Sequence, residues 1–300
     1  MRIPIVFSTD HNFIVPTGVS IASLLRNSGD ADYEIYILSA PSVTDNDKHL
    51  LEQQVKSLSD TSTVKFISVD NAFKDAFETR GISNATYYRL LIPWLIPEHD
   101  KILYSDGDVV FNMSLQGAYD FELGDALAAG VGGKVWSSKV QAKRITALGV
   151  DPSKYVNAGF LLLNAAAMRK EGLKDTFLKL AEKKFPYQDQ DILNIACNGR
   201  ILKLPETFNY SKSLAQTTFG KDYSLSQIAV IHYTHDKPWN GPAMLGDIWW
   251  ENYRHSVFYD DKTYRRYIDK TLSYKKMTKA YLKRVKASVR SRVSILFKHP

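Results

Sequence analysis

Residues 101–111 read KILYSDGDVVF, an acidic segment between two apolar runs. The pattern predicts a strand over Lys101–Tyr104 that resumes at Val109–Phe111. In an extended chain residues i and i+2 point the same way, so both carboxylates of Asp106-Gly107-Asp108 would face one spot. A divalent cation relieves the repulsion between such carboxylates, and the glycine lets a ligand approach closely. The residues alone also permit a strand-end turn with two solvated aspartates.

A third ligand for such a cation is His232, which ends the apolar run 228–231. Two carboxylates and one imidazole suit Mn²⁺ better than Mg²⁺, which prefers oxygen ligands and water. Lys237, directly before Pro238 and Trp239, would face a phosphate as a point charge. A packed or surface histidine and an ordinary surface lysine are the alternatives that these residues leave open.

Apolar runs with strand character alternate with helical stretches along the chain. This alternation predicts an α/β fold with a mixed, mostly parallel sheet that is flanked by helices and binds ligands beyond its carboxyl strand ends. The helix over 84–91 is expected to stop near Pro93, and the strand over 155–163 to be interrupted by Asn157. Further strands are predicted at 3–7, 33–38, 64–69, 201–204 and 228–233, and further helices at 17–25, 44–58, 165–184 and 188–197.

Length and composition exclude several classes of protein. A chain of 300 residues that is 44% apolar and 24% charged is globular rather than disordered. Cys197 is the only cysteine, so no disulfide can form within the chain, and a reduced, cytosolic compartment is expected. No apolar run approaches the length of a membrane span. The polar Ser8-Thr9-Asp10 follows the start too closely for a signal peptide, so none is expected.

The net charge of +7 is unevenly distributed. Residues 262–300 carry thirteen lysines and arginines against one acid, Asp269, whereas residues 1–261 have 26 basic and 31 acidic side chains. An acidic body with a basic tail is not the pattern of a nucleic-acid binder, so no nucleic acid is expected as a partner. We predict a catalytic domain over 1–245 and a helical basic tail over 246–300.

The tail has apolar residues at spacings of three or four, which is one face of a helix, and basic residues populate the rest. A basic amphipathic helix of this kind fits an anionic membrane surface. We therefore predict a cytoplasmic protein attached peripherally, through residues 262–300, to the inner face of the cell membrane. A solvated helix packed on the body is the alternative. The apolar positions are Met277, Tyr281, Val285, Val289, Val293 and Leu296.

Six segments, taken together and in this order, resemble the family 8 glycosyltransferases. The resemblance spans nearly the whole chain and is greatest to bacterial enzymes that add galactose or glucose to lipopolysaccharide. It implies the nucleotide-sugar-binding A-type fold, Mn²⁺ with Mg²⁺ as the alternative, and transfer with retention at the anomeric carbon. It also implies UDP-galactose or UDP-glucose as donor and a saccharide or glycolipid acceptor. The segments are 6–12, 86–90, 103–109, 156–160, 187–194 and 232–239.

The resemblance also implies roles for individual residues. Asp10 and Asn12 would hold the uracil and ribose of the donor. The aspartates of Asp106-Gly107-Asp108 would bind the metal together with His232, and Lys237 would contact the diphosphate. Relatives usually have the pattern H-Y-x-G-x-x-K-P-W, whereas this chain is one residue shorter there and lacks the glycine. The diphosphate contacts are therefore the part of the site that the resemblance supports least.

Five further residues would surround the donor sugar in such an enzyme. Arg89 would lie near the sugar and the first aspartate, and Asn157 and Ala158 would line the sugar pocket. Asp189 would bind the sugar hydroxyls, and Gln190 would lie next to the anomeric carbon. Without the resemblance, Arg89 could be a surface arginine, Asn157 could satisfy backbone groups at a bulge, and Asp189 could be an acid at a helix N-terminus.

Gln190 is a poor nucleophile, so we expect attack on the same face as the leaving diphosphate, whose oxygen accepts the acceptor's proton. Asp189 is the alternative nucleophile, since retaining glycosidases use a carboxylate. Two other functions remain open at this point. One is a sugar-nucleotide-binding protein without transferase activity, and the other is a metal-dependent nucleotidyltransferase or hydrolase. The acceptor side carries Gly132-Gly133-Lys134 where a polar or acidic residue is expected, so the sequence does not identify the acceptor.

Overall fold

The computed structural model describes residues 2–69, 73, 76–77, 84–133, 138–211 and 224–271. The strands are β1 (Arg2–Thr9), β2 (Asp32–Ser39), β3 (Thr63–Ser68), β4 (Lys101–Ser105), β5 (Val109–Phe111), β6 (Ala128–Gly132), β7 (Val156–Asn164), β8 (Ile201–Lys203), β9 (Tyr210–Ser211) and β10 (Val230–His232). The α-helices are α1 (Ile14–Arg26), α2 (Asp45–Leu58), α3 (Ile92–Leu95), α4 (Gln116–Tyr119), α5 (Lys139–Ala147), α6 (Ala165–Lys170), α7 (Leu173–Ala181), α8 (Gln188–Ala196), α9 (Gly246–Arg254) and α10 (Asp261–Thr271). Short 3₁₀ helices cover His11–Phe13, Asn84–Leu91, Glu206–Phe208 and Leu225–Gln227.

A seven-stranded sheet of order β3-β2-β1-β4-β7-β6-β8 forms the centre of the fold. Every neighbouring pair is parallel except the two that involve β7, which runs opposite to the other six strands. The mixed, mostly parallel sheet that the sequence predicts is therefore confirmed. The loops that follow β1 and β4 leave the sheet at the same edge, because these two strands are parallel neighbours.

Alternation along the central strands divides the core into two apolar layers. On β1, Val6 packs with Tyr36 and Tyr104 in one layer, and Ile5 packs with other side chains in the second. All four side chains are at most 1% exposed. Because successive side chains of a strand point to opposite faces, both faces of the sheet need helices to cover them. The sheet therefore holds the ends of β1 and β4 rigidly in place.

The chain leaves the large sheet directly after β4. Pairing of β4 with β1 and β7 ends at Ser105, and β5 joins a separate three-stranded sheet of order β5-β10-β9. In this small sheet Val109 lies opposite His232 and Val110 opposite Ile231. The prediction that the first strand resumes at Val109 is therefore wrong, because β5 finds its hydrogen-bond partner in β10.

Three local predictions also differ from the structure. Pro93 does not end a helix but lies in the first turn of α3, where its missing N–H is not needed. The long helix predicted over 165–184 is divided into α6 and α7 by Gly172, whose φ of 65° favours glycine. Strand β7 is continuous through Asn157, and the irregularity lies in β6, whose pairing shifts register between Gly130 and Gly132.

Helix α9 directly follows the domain boundary that we predict at residue 245. Its Trp249 is 1% exposed and packs with Val19 of α1 in a third apolar cluster. Trp250 stacks on Tyr267 of α10, with ring centroids 4.3 Å apart. The division at 245 stays a prediction, and residues 272–300, where the amphipathic tail helix is predicted, lie outside the described residues. Of the helices described, none combines the length and the apolar content that a bilayer crossing requires.

Candidate active site

Two aspartates and a histidine meet where the two sheets join. Because β10 runs antiparallel to β5 with His232 opposite Val109, the imidazole lies beside Asp108. Its Nε2 atom is 3.2 Å from Asp108 Oδ1 and 3.7 Å from Asp106 Oδ2. One ligand atom from each of the three residues lies within 4.8 Å of the other two. This spacing allows all three to bind a single metal ion.

Two glycines make this convergence possible. Gly107 and Asp108 form a bend rather than extended chain, so the strand alternation that we used to predict the convergence does not apply. A Cβ on Gly107 would lie 2.4 Å from Thr17 Oγ1, which only glycine avoids. A Cβ on Gly159 of β7 would lie 2.1 Å from His232 Cε1 and 2.8 Å from Asp106 Oδ2. The absence of a side chain at 159 leaves the space in which the three ligands approach one another.

The donor set fits a divalent cation. Asp108 Oδ1 is buried, and within the described part of the chain it has no hydrogen-bond partner. His232 Nδ1 lies 2.7 Å from Asn209 Oδ1, so the opposite ring nitrogen, Nε2, faces the carboxylates. Carboxylate oxygens and an imidazole nitrogen are ligands that divalent transition-metal ions accept together. Asp106, Asp108 and His232 can therefore hold such an ion.

Arg89 is buried between two carboxylates. It comes from the 3₁₀ helix Asn84–Leu91 and is 7% exposed. Its Nη2 is 2.8 Å from Asp106 Oδ1, and its Nε is 2.9 Å from Asp189 Oδ2. Its Nη1 donates to the carbonyl of Ala158 at 2.7 Å. The alternative of a surface arginine is thereby excluded, and the guanidinium links a predicted metal ligand to the first turn of α8.

Burial and neighbouring charges set the protonation of the two buried aspartates. Burial raises the pKa of Asp189 to about 6, and the Arg89 guanidinium opposes this shift only in part. Burial acts on Asp108 in the same direction, but the Lys237 ammonium outweighs it and holds the pKa of Asp108 well below its usual range. Asp108 therefore stays ionised near neutral pH, whereas Asp189 takes up a proton in weakly acidic solution.

The side chain of Gln190 is held at both ends. Its Oε1 accepts hydrogen bonds from Asn157 Nδ2 at 2.9 Å and from the backbone N–H of Ala158 at 3.2 Å. Its Nε2 donates to the hydroxyl of Tyr155 at 3.1 Å. Asn157 in turn accepts from the backbone N–H of Gly159 at 3.0 Å. The amide of Gln190 is thus fixed in one orientation.

The helix that carries Asp189 and Gln190 begins with a strained residue. Gln188 has a φ of 44°, in the left-handed region that non-glycine residues rarely adopt. It is 2% exposed, and its Nε2 donates to the carbonyl of Phe77 at 3.0 Å. Strained backbone that persists next to a cleft is frequent at functional sites, and here it sets the direction in which α8 starts.

The predicted site residues line one cleft of about 750 Å³, with a single exception. Asn12 is exposed on the 3₁₀ helix His11–Phe13 and is not part of the lining. Lys237 donates hydrogen bonds to Asp108 Oδ2 and to the carbonyl of Tyr233. The roles of these residues in binding and catalysis remain predictions. The lining includes Asp10, Arg89, Asp106, Gly107, Asp108, Asn157, Ala158, Asp189, Gln190, His232 and Lys237.

Sequence reasoning missed three residues that shape the site. Thr86 donates to Asp189 Oδ1 at 2.6 Å, and Tyr104 donates to Asp106 Oδ1 at 2.8 Å. Both stand in segments that carry the family resemblance, so their proximity to assigned residues was a usable signal. Asn209, which is 3% exposed, follows no pattern in the sequence. Its partners come from β7 and β10, and only the folded chain brings them together.

The fold identifies the class of protein. The solved structure of the galactosyltransferase LgtC, in complex with donor and acceptor sugar analogs, matches with a TM-score of 0.75. The match covers 88% of this chain and 100% of that one at 23% identity, which bears on the fold alone. The fold is that of the A-type glycosyltransferases, as the resemblance implies. Residues 4–243 match glycosyl transferase family 8, and the chain belongs to this family.

Curated bacterial proteins are similar over most of this chain. Glycosyltransferase GlyF of Streptococcus pneumoniae serotype 4 is 27% identical over 262 residues, which are 83% of this chain. This chain spans only 61% of the length of GlyF. The lipopolysaccharide 1,3-galactosyltransferase of Salmonella typhimurium is 25% identical over 255 residues, with 79% of this chain and 72% of that protein covered. The protein is thus related to glycosyltransferases of lipopolysaccharide assembly.

Proposed function

We propose that the protein transfers a hexose, galactose or glucose, from a UDP-sugar to a saccharide acceptor in the assembly of lipopolysaccharide or another cell-surface glycan. The observation that carries this proposal is the group of Asp106, Asp108 and His232 in a cleft that is also lined by Arg89 and Asp189. The names of the relatives support the reaction, since lipopolysaccharide galactosyl- and glucosyltransferases are among them.

Asp106, Asp108 and His232 would hold the metal. We propose Mn²⁺, because it accepts an imidazole nitrogen more readily than Mg²⁺ does. A divalent ion bound there would act as a Lewis acid on the diphosphate that leaves the sugar. Lys237, whose ammonium already lies beside Asp108, would add positive charge at the diphosphate.

Arg89 and Asp189 would bind the donor sugar. Their ion pair is buried, with 7% of Arg89 and 5% of Asp189 exposed, so both side chains are rigid. A carboxylate accepts hydrogen bonds from hydroxyl groups, and Asp189 is ionised near neutral pH despite its raised pKa. Asp10 and Asn12 would hold the nucleoside, and Asn157 and Ala158 would line the pocket for the sugar.

We propose that retention comes from attack on the same face as the leaving group. Both oxygens of Asp189 are already engaged, one by Thr86 and the other by Arg89, and this supports a binding rather than a nucleophilic role. The side-chain oxygen of Gln190 accepts two hydrogen bonds. Because these bonds engage its lone pairs, they lower the already weak nucleophilicity of the amide further. The acceptor hydroxyl would then pass its proton to an oxygen of the departing diphosphate. A glycosyl adduct trapped on Asp189 and seen by mass spectrometry would contradict this mechanism.

The first test is the release of UDP from a panel of UDP-sugars by the purified protein, with Mn²⁺ and with a chelator. The Asp106→Asn/Asp108→Asn double variant serves as the control. We expect release from one donor, dependent on metal and absent in the variant. If UDP and Mn²⁺ bind but no donor is turned over with any saccharide acceptor, the protein is a sugar-nucleotide-binding protein instead.

We also propose that the protein acts in the cytoplasm while bound to the inner face of the cell membrane. A glycolipid acceptor is presented at such a surface. The lysines and arginines of residues 262–300 would attract anionic lipids, each contributing about 1 kcal/mol near the membrane.

A further inference from the structure

A row of side-chain amides connects His232 to helix α8. Asn209 stands at its centre, directly after the 3₁₀ helix Glu206–Phe208, and is 3% exposed. On one side it is 2.7 Å from the imidazole of His232, and on the other it is 2.8 Å from Asn157. Asn157 continues the row to Gln190 at 2.9 Å. One buried amide therefore contacts both a predicted metal ligand and the support of a predicted catalytic residue.

The backbone determines which way each amide in this row points. The N–H of Gly159 can only donate, and it donates to Asn157 Oδ1 at 3.0 Å, so this oxygen is an acceptor. Asn209 donates to the same oxygen with its Nδ2. The carbonyl Oδ1 of Asn209 must then face the imidazole of His232, and Nδ1 of that ring must carry the proton.

This orientation has a consequence at the other ring nitrogen. With the proton on Nδ1, the Nε2 atom of a neutral imidazole carries an unprotonated lone pair. This atom lies 3.2 Å from Asp108 Oδ1. Two acceptor atoms then face each other with no proton between them, an arrangement that a cation stabilises. A metal-binding histidine is commonly held in this way by an acceptor at its second nitrogen.

The side-chain amide of Asn209 also affects the other end of the row, where Gln190 lies. Because Asn209 and Gly159 both donate to Asn157 Oδ1, the Nδ2 of Asn157 is turned toward Gln190 Oε1. The N–H of Ala158 donates to that same oxygen, so the Nε2 of Gln190 points to Tyr155. Loss of the Asn209 donor would leave Asn157 with one fewer constraint on its rotamer.

We propose that Asn209 is a positioning residue that sets the Nδ1–H tautomer of His232 for metal binding and, through Asn157, the orientation of Gln190. The inference rests on the proposed metal-dependent transfer. It separates two tasks of one side chain: the carbonyl serves the metal site, and the NH₂ group serves Gln190. The task of the NH₂ group can be removed alone, and both tasks can be removed together.

Asn209→Asp and Asn209→Leu make this separation. The aspartate keeps an acceptor for His232 Nδ1–H but cannot donate to Asn157. We expect it to bind Mn²⁺ within about threefold of the unchanged protein and to lose at least tenfold in kcat. The leucine removes both functions, and we expect its Mn²⁺ affinity to fall by about 10- to 100-fold. Affinity is measured by titrating metal-free protein with Mn²⁺, which needs no donor or acceptor.

Nitrogen-15 NMR of the seven histidines gives a direct readout of the tautomer. Near pH 8, where an ordinary imidazole is neutral, we expect His232 to carry its proton on Nδ1 in the unchanged protein and in Asn209→Asp. In Asn209→Leu we expect a mixture of tautomers. Asn252→Leu is the matched control, since Asn252 is 4% exposed, makes two side-chain hydrogen bonds and does not line the cleft.

Two results would overturn the proposal. One is an Asn209→Leu protein that binds Mn²⁺ as tightly as the unchanged protein with His232 still protonated on Nδ1. The other is an Asn209→Asp protein that loses metal affinity as severely as Asn209→Leu, which would indicate a general packing role. If the unchanged protein transfers no sugar, the kcat comparison disappears, but the metal titration and the tautomer still decide the positioning role.

Discussion

Gly159 of β7 lies against two of the predicted metal ligands, His232 and Asp106. A Cβ at this position would meet His232 Cε1 at 2.1 Å and Asp106 Oδ2 at 2.8 Å, distances that real Cβ atoms essentially never show. The imidazole is 4% exposed and fixed by Asn209, so it cannot move aside easily. The ligand set therefore depends on a residue that offers no ligand atom.

Gly159→Ala tests this dependence. We expect Mn²⁺ affinity to fall at least about tenfold, because the methyl group would push His232 away from the two carboxylates. Metal titration of the purified variant measures the change. Gly117→Ala on α4 is the control, since the nearest atom to a Cβ there is 3.8 Å away. The Mn²⁺ affinity of this variant should equal that of the unchanged protein. Equal affinities in both variants would contradict the model of a close-packed ligand set.

Asp189 gives the site a dependence on pH. Burial raises its pKa to about 6, so below that pH the carboxyl is protonated and loses acceptor capacity for the sugar hydroxyls that we propose it binds. We expect kcat/KM for the donor to fall about tenfold per pH unit below 6, because this parameter reports ionisations of the free enzyme. Asp189→Asn should lack this acidic limb while its overall activity is low. An unchanged acidic limb in that variant would assign the ionisation to another group.

The effect of the same carboxyl on stability has the opposite sign. A pKa raised above the ordinary value of 3.8 means that the folded state binds this proton more tightly than the unfolded state does. The stabilising contribution is therefore complete below about pH 3.8 and is lost as the pH rises through about 6. Stability from Asp189 and activity through Asp189 cannot both be greatest at one pH.

At the scale of elements, the site depends on several strand pairings, of which only some can be predicted from the sequence. Apolar runs that are long enough to be recognised predict the strands β1, β2 and β4. They also predict that Asp106 and His232 lie at strand ends. The pairing of β5 with β10 does not, because each strand has three residues and the partners lie far apart in the chain. Asn209 was missed for the same reason. The family resemblance supplied the residue roles, and local pattern alone would have left Asp189 as a helix N-terminal acid.

Helix α9 packs against the site, although its charged and aromatic sequence does not indicate this packing. Trp249 is stacked on Tyr253 with centroids 5.5 Å apart and lies 5.2 Å from the ring of Trp239, which lines the cleft. The helix therefore supports one wall of the site although it follows the boundary that we predict at 245. Its contribution is hydrophobic, because the indole is 1% exposed.

Trp249→Ala should lower the free energy of unfolding by about 3–5 kcal/mol, the usual cost of removing a large buried aromatic side chain. Urea unfolding followed by circular dichroism measures the change. Met113→Ala is the control, because Met113 is 42% exposed and surface substitutions usually stay within about 0.5 kcal/mol. A Trp249→Ala protein as stable as the control would mean that α9 is dispensable for the body, as a separate tail would be.

At the scale of the whole molecule, positive charge is concentrated toward the C-terminus. Residues 1–261 carry a net charge of −5 and residues 262–300 one of +12. On α10 the basic side chains Lys262, Arg265, Arg266 and Lys270 are exposed, while Tyr264 and Tyr267 pack with the aromatic cluster of α9. The described part of the basic segment thus has one face on the body and one face in solvent.

A chain that ends at Lys270 tests whether this segment binds membranes. It loses nine of the thirteen basic side chains of residues 262–300 but keeps the helix that packs on α9. At about 1 kcal/mol for each basic residue near an anionic surface, we expect affinity for phosphatidylglycerol vesicles to fall at least ~100-fold. The full chain should also dissociate as salt is raised, since screening weakens the attraction, and should not sediment with uncharged vesicles. Matching thermal melts of the two chains would show that the body is intact, and a shortened chain that sediments as well as the full one would refute membrane attachment through the tail.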